Sequence, residues 1–229
     1  MNRWQLSAAT RSRLLLFAGV LAAVLLVRAT AVDWHWVPTG SMKPTILEGD
    51  LVLVNRLAWD LRLPLVDAVA MRWGAPRRGD VVVFNSPEDG RRLVKRVIGM
   101  PGDRLRMRGE QLWINGRILS YHPLPVDRFP GLDPRDVRAH TLAVERLPGR
   151  PHAVMFGARN RRPPVQGELD VPEEAYFVLG DHRDNSRDSR YFRFVSRAAV
   201  LGRAERVLVS LDLAAHWQPR WRRFGQAIQ

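Results

Sequence analysis

Apolar residues form one long run near the start of the chain and then recur as short, strand-like blocks separated by glycine, proline and charge. Leu14 to Val27 is a 14-residue stretch of Leu, Ala, Val, Phe and Gly with no charge. As a helix it covers about 21 Å, short of a hydrocarbon core of about 30 Å. Arg28 interrupts it, yet a long arginine stem reaches an interface and lets Ala29 to Val32 extend the span. The pattern predicts one transmembrane helix over 14–32. Arg3, Arg11 and Arg13 precede it, so residues 1–13 are expected to stay cytoplasmic. A cleaved signal peptide, cut after Ala31, fits the same basic flank, apolar centre and small-residue triplet Ala29-Thr30-Ala31. Under either reading, residues 33–229 are extracytoplasmic.

Beyond Val32 the periodicity is that of strands. Asp50-Leu-Val-Leu-Val-Asn55 is apolar and β-branched, as a buried strand is. Leu57 to Trp73, too apolar for a solvated loop and broken by Pro64, predicts a hairpin on the sheet or dipping towards lipid. Val81 to Phe84 and Arg91 to Ile98 predict a second hairpin, turned at Glu88-Asp89-Gly90. Gln111 to Ile114 followed by Asn115-Gly116 predicts a third, with a type I′ turn. From Tyr121 to about Gly167, proline, arginine and glycine dominate around two strand candidates, 141–145 and 152–156. Strands are also predicted at Ala175 to Leu179 and within Val200 to Leu211, before a basic, aromatic tail. The expected architecture is mainly β: an antiparallel β-sheet domain over 33–229, with an inserted β-rich subdomain at 121–167, behind one N-terminal transmembrane helix.

Composition narrows the partners. The 229 residues suit one main domain, and 36 Lys and Arg against 23 Asp and Glu give a formal charge of +13. The excess is arginine scattered through loops, without a basic helix or aromatic-basic array, so no nucleic-acid partner is predicted and a phospholipid surface fits better. Trp34 and Trp36, just after the apolar run, suit either a membrane interface or a core. The chain has no cysteine, which excludes disulfides, thiolate metal sites and a thiol nucleophile. No cofactor, metal or obligate protein partner is expected.

Three polar stretches carry the chemistry. In Val37-Pro38-Thr39-Gly40-Ser41-Met42-Lys43-Pro44-Thr45, prolines three residues either side of Ser41 enforce a stiff, non-helical connection. Thr-Gly-Ser is also ordinary turn chemistry. In Arg92 to Ile98, strand alternation puts Leu93, Lys95 and Val97 on one face, and Arg92, Val94, Arg96 and Ile98 on the other, more basic face. Apolar flanks would desolvate Lys95, lower its pKa and make it a general base, although an ordinary solvated strand lysine fits the same pattern. The third stretch, Gly180 to Arg190, interleaves acids with arginines as an internally paired, rigid loop does, and lacks the oxygen-ligand spacing of a calcium loop. A serine nucleophile needs a base, and His182 in this loop is the only rival to Lys95.

In these stretches the chain resembles bacterial type I signal peptidases. Pro38 to Thr45 is similar to the family's nucleophile box, Gly79-Asp80-Val-Val-Val-Phe84 with Val94 to Asp103 to the box carrying its lysine base, and Gly180 to Arg190 to its third box. The resemblance implies a membrane-bound serine endopeptidase that removes signal peptides from exported preproteins at the bacterial inner membrane, using a Ser41–Lys95 dyad. It implies that Thr39 and the Ser41 amide form the oxyanion hole, that Ser186 holds the Lys95 amine, and that Asp181, Asp188 and Arg190 brace the site. It further implies an extended substrate with small residues at the first and third positions before the cut, held in shallow pockets from Val37, Pro38, Met42, Ile46, Leu93 and Val94. Rival readings are a maturation peptidase for one secreted or pilus substrate, a non-catalytic membrane scaffold, and a self-cleaving repressor. For the last, the Ala18-Gly19 bond lies inside the apolar run, and no helix-turn-helix fits before Ser41.

Overall fold

A computed structural model describes residues 8–63, 68–125, 129, 131–157 and 167–228. Residues 1–7 of the expected cytoplasmic segment, Pro64, Leu65 and Val66 of the expected first hairpin, and 158–166 of the expected insertion lie outside these. In chain order the elements are α1 (Ala8–Thr30), β1 (Val32–Trp36), β2 (Asp50–Asn55), β3 (Asp60–Arg62), β4 (Val69–Arg72), β5 (Val81–Asn85) and β6 (Arg92–Gly99). There follow β7 (Arg104–Arg108), β8 (Gln111–Ile114), β9 (Arg117–Ile118), β10 (Tyr121–Pro123), α2 (Pro134–Ala139), β11 (His140–Glu145) and β12 (His152–Gly157). The last are β13 (Glu168–Asp170), β14 (Ala175–Leu179), α3 (Ser189–Phe192), β15 (Val195–Ser196), β16 (Val200–Asp212) and β17 (Gln218–Pro219).

The main sheet runs β1-β2-β16-β5-β6-β14-β15, with β17 on the end of β16, and every pairing is antiparallel. Val81 to Phe84 are buried on both faces, which is why β5 sits in the middle. In β2 burial alternates, so Val52 and Val54 enter the core while their neighbours lie nearer the surface. One core holds Val37, Met42, Ile46, Val52, Val54, Val81 and Val83, and a second holds Val82, Phe84, Val97, Tyr176 and Val178. Successive residues of β5 thus feed the two faces in turn.

Half of β6 is open along its outer side. β14 covers β6 from Arg96 to Gly99, whereas Arg92 to Lys95 pair with β5 alone. The outer backbone groups of that half-strand are available to an added strand.

Two smaller sheets, β13-β7-β8-β9 and β10-β11-β12, lie between β6 and β14 in sequence. Asn115 and Gly116 both have positive φ, 52° and 77°, as the type I′ turn between β8 and β9 requires. Asp133 caps α2, its side chain accepting from Arg135 N at 2.7 Å, and α2 runs straight into β11.

The N-terminal span differs from its expected form. The helix reaches back to Ala8 and ends at Thr30, and Val32 opens β1 instead of closing the helix. Among the described residues no helix is long and apolar enough to cross a membrane. One reason is local: Thr10-Arg11-Ser12-Arg13 makes the first turns polar, so the 23-residue helix is apolar over only part of its length.

Part of the basic charge turns inward. Arg62, Arg96, Arg183, Arg190, Arg197 and Arg223 are buried, each bonded to a buried carboxylate: Asp60, Asp181, Glu145, Asp188, Asp60 and Asp50 respectively.

Candidate active site

Ser41 lies in the connection between β1 and β2, at the open end of β6. The connection is tied at several points: Val37 N donates to Asp50 O (2.9 Å), Lys43 N to Gly40 O (3.1 Å) and His182 N to Ser41 O (3.1 Å). Met42 and Ile46 anchor it as buried core residues. Ser41 itself stays half-buried. Its N–H has no backbone acceptor among the described residues, and the Thr39 side chain two residues earlier is exposed.

Lys95 meets Ser41 from the open edge. Its Nζ lies 2.6 Å from Ser41 Oγ and donates to Val94 O at 3.0 Å. The side chain is 3% exposed. Burial pulls its pKa from 10.5 down to about 8; Arg190 adds to the effect, and Asp188 and Asp181 oppose it. An amine this close to neutrality at ordinary pH can take a proton from the hydroxyl it touches.

The loop from Gly180 to Arg190 backs this pair. Arg190 bonds Asp188 with two nitrogens, at 2.8 and 2.7 Å, and Gly180 N donates to Asp188 Oδ2 at 3.0 Å. Burial would raise the Asp188 pKa, but Arg190 and the Gly180 amide outweigh it and hold the carboxyl below its ordinary value. Asp181 is held low in the same way, burial being overcome by Arg96 and by the Thr45 hydroxyl, which donates to it at 2.5 Å. Asp181 therefore pairs with Arg96, and Asp188 with Arg190.

Several sequence-predicted residues sit otherwise than expected. Ser186 Oγ is buried without a hydrogen-bond partner among the described residues and does not reach the Lys95 amine. Gly180 packs closely against both Ser186 and the Ser41 carbonyl. The six expected pocket residues divide. Met42 and Ile46 are fully buried, Val37 and Val94 belong to the same core, Pro38 is exposed, and Leu93 packs on the opposite face of the sheet. Strand alternation is the reason, since Leu93 and Val94 are adjacent in β6. His182 is close to Ser41, but its Nδ1 contacts Gly40 O (3.2 Å) and its pKa is lowered to about 4, chiefly by burial and then by His140.

Arg96 was assigned to a basic face, yet it is 0% exposed. The signal was present, because its own-face neighbours Val94 and Ile98 are as apolar as those of Lys95. Glu145 and Arg183 were not anticipated. Their two-nitrogen pairing, at 2.6 and 2.7 Å, joins β11 to this loop across 38 residues, a distance no local pattern spans.

The tight seat of Gly180 gives a direct test. A Cβ there would press on both Ser186 Oγ and the Ser41 carbonyl oxygen, and the carbonyl cannot rotate away. Gly180→Ala is expected to destabilise the fold by about 1–3 kcal/mol, as overpacking does. The thermal unfolding midpoint measures this; an unchanged midpoint would mean that the loop has room to spare.

Comparison with known proteins identifies the family. The model of the family described as signal peptidase, peptidase S26, matches residues 10–209. Signal peptidase I of Pseudomonas fluorescens is 38% identical over 178 residues, covering 77% of this chain and 61% of that protein, so the chain spans about three fifths of that relative's length. Signal peptidase I of Rickettsia typhi is 34% identical over 214 residues, covering 86% of this chain and 79% of that one. A signal peptidase I crystal structure from Enterococcus faecalis is 34% identical, covers 56% of this chain and 95% of its own, and has a TM-score of 0.35. With a family match over residues 10–209 that takes in Ser41, Lys95 and the loop from Gly180 to Arg190, the chain belongs to the signal peptidase family, peptidase S26.

Proposed function

We propose that this chain is a serine endopeptidase that removes signal peptides from exported preproteins, with Ser41 as nucleophile and Lys95 as its base. The observation that carries the reading is the 2.6 Å contact between Ser41 Oγ and an amine whose pKa is lowered to about 8. In the neutral form of Lys95 that contact runs the other way, with the Ser41 hydroxyl donating to Nζ. Lys95 takes the proton as Ser41 attacks the scissile carbonyl and returns it to the departing amine. It then activates the water that releases the acyl-enzyme. The Ser41 amide and the Thr39 hydroxyl stabilise the oxyanion. Asp188 and Arg190 hold the loop behind the amine.

The substrate adds a strand to the open half of β6, Arg92 to Lys95. Val37 and Val94 border the small side chains at the first and third positions before the cut, with Met42 and Ile46 as the floor beneath them. Residues 33–229 form the extracytoplasmic catalytic domain and 121–167 its insertion. α1 tethers the domain to the bacterial inner membrane. Leu14, Leu15, Leu16, Phe17, Val20 and Leu21 are exposed along it, and the exposed Trp36, at the far end of β1, stacks on Trp217 at 6.2 Å.

The test is cleavage in detergent of a preprotein with alanine at both positions. The product should begin directly after the junction, and a tryptophan at the first position should block the cut. The pH profile identifies the base. A lysine must lose its proton to act, so kcat/KM should climb about tenfold per pH unit below about 8 and level off above. A profile already flat by about pH 6.5 would point to histidine and overturn the lysine assignment.

A further inference from the structure

α2 and the residue that follows it, His140, reach the loop that carries Ser41 by two routes, one direct and one through His182. Lys43, two residues after Ser41, donates through Nζ to Asp136 Oδ2 on α2 at 2.9 Å and to Glu48 Oε2 at 3.2 Å. The ammonium is largely buried, its side chain 13% exposed, so it is screened far less than a surface pair. His140, at the end of α2, packs edge-to-face on His182 with ring centroids 4.8 Å apart. His182 in turn donates its N–H to Ser41 O at 3.1 Å and bonds Gly40 O through its ring at 3.2 Å. Gly40 is closed in by the same ion pair, since a Cβ there would lie 2.8 Å from both Glu48 Oε1 and Lys43 Cε. The turn bearing the serine is thus gripped before and after Ser41, and both grips lead to α2.

We propose that α2 is a positioning element for the nucleophile, acting through Asp136 on Lys43 and through His140 on His182. This rests on Ser41 being the nucleophile. Asp136 touches no reacting atom; it adds a charged anchor directly after Ser41 to a turn that buried Met42 and Ile46 hold further on. Displacing a reacting group by about 1 Å from outside the site can cost up to about 100-fold in rate. A single lost anchor, with Glu48 still bonded to Lys43, is expected to cost less, about tenfold. The insertion is therefore coupled to the chemistry as well as to the fold.

The experiment measures kcat and KM for preprotein cleavage by the full chain in detergent, with wild type, Asp136→Asn, Asp136→Glu, Lys43→Gln and the double variant Asp136→Asn/Lys43→Gln. Asp136→Asn should lower kcat about tenfold with KM within about twofold, since the substrate edge on β6 is untouched. Asp136→Glu should recover most of the loss. The double variant should be no slower than Lys43→Gln alone, because the two residues act through one bond. Losses that multiply, a loss confined to KM, or kcat within twofold of wild type in Asp136→Asn would each overturn the proposal. Ser41→Ala run alongside keeps the two readings apart: an active Ser41→Ala removes the nucleophile assignment itself, whatever the Asp136 variants do.

Discussion

Lys95→Met should lower kcat for preprotein cleavage by about 10⁴-fold or more, with the protein still folded. Loss of a nucleophile or its base in a serine hydrolase has effects of this order, a residue of catalysis surviving from the oxyanion donors and substrate binding. Methionine matches the length and burial of the lysine stem, and Lys95 has no carboxylate in direct contact, so nothing charged is left unpaired behind it. Lys95→Arg separates the roles of charge and base. It keeps the cation but cannot give up its proton at any working pH, so it should be as inactive as Lys95→Met. Ser41→Ala should show the same loss, and the double variant should be no worse than either single one, because a nucleophile and its base fail as a unit. Single-turnover cleavage would measure all four. Activity of Lys95→Arg within tenfold of wild type would end the dyad reading.

Asp181→Asn should be the most destabilising polar substitution near the site. It leaves Arg96 charged and 0% exposed, with Gly79 O (2.9 Å) and a long contact to Thr45 as its remaining partners. Breaking a buried pair from one side typically costs about 3–5 kcal/mol. For a domain of this size that is a drop of about 10 °C in thermal midpoint, readable by circular dichroism. Asp181→Asn with Arg96→Met should recover much of it, because the stranded charge is gone. A drop of less than 2 °C in the single variant would show that water or a local shift satisfies Arg96. Acid should act in the same direction. The Asp181 carboxyl is held below its unfolded value, so its contribution is present above the ordinary carboxylate range and is lost as pH falls through its folded pKa.

Much of this molecule was readable before any coordinates. The strand over Asp50 to Asn55 appears with those bounds, and the Asn115-Gly116 turn and the hairpin of β5 and β6 lie where predicted. Each is fixed by neighbours in sequence: a period-two pattern, a turn dipeptide with positive φ, an apolar block between breakers. Lys95 was singled out by its two apolar strand neighbours, and it is buried in the structure, with the Ser41 loop against its amine. Arg96 was misread because an arginine was taken as solvated by type, although its flanks matched those of Lys95. The placement of Ser186 away from the amine, and the links from Lys43 to Asp136 and from Glu145 to Arg183, join segments far apart in the chain. No window of sequence contains both partners.

The arginine at position 223 adds a consequence in time. Its side chain reaches back to Asp50 at 2.6 Å and to the carbonyl of Thr45 at 3.0 Å, closing the far end of the serine-bearing loop across 178 residues. A ribosome must therefore reach residue 223 before that contact can lock the loop. The loop that carries Ser41 thus takes its locked form late, after every strand of the main sheet has been made.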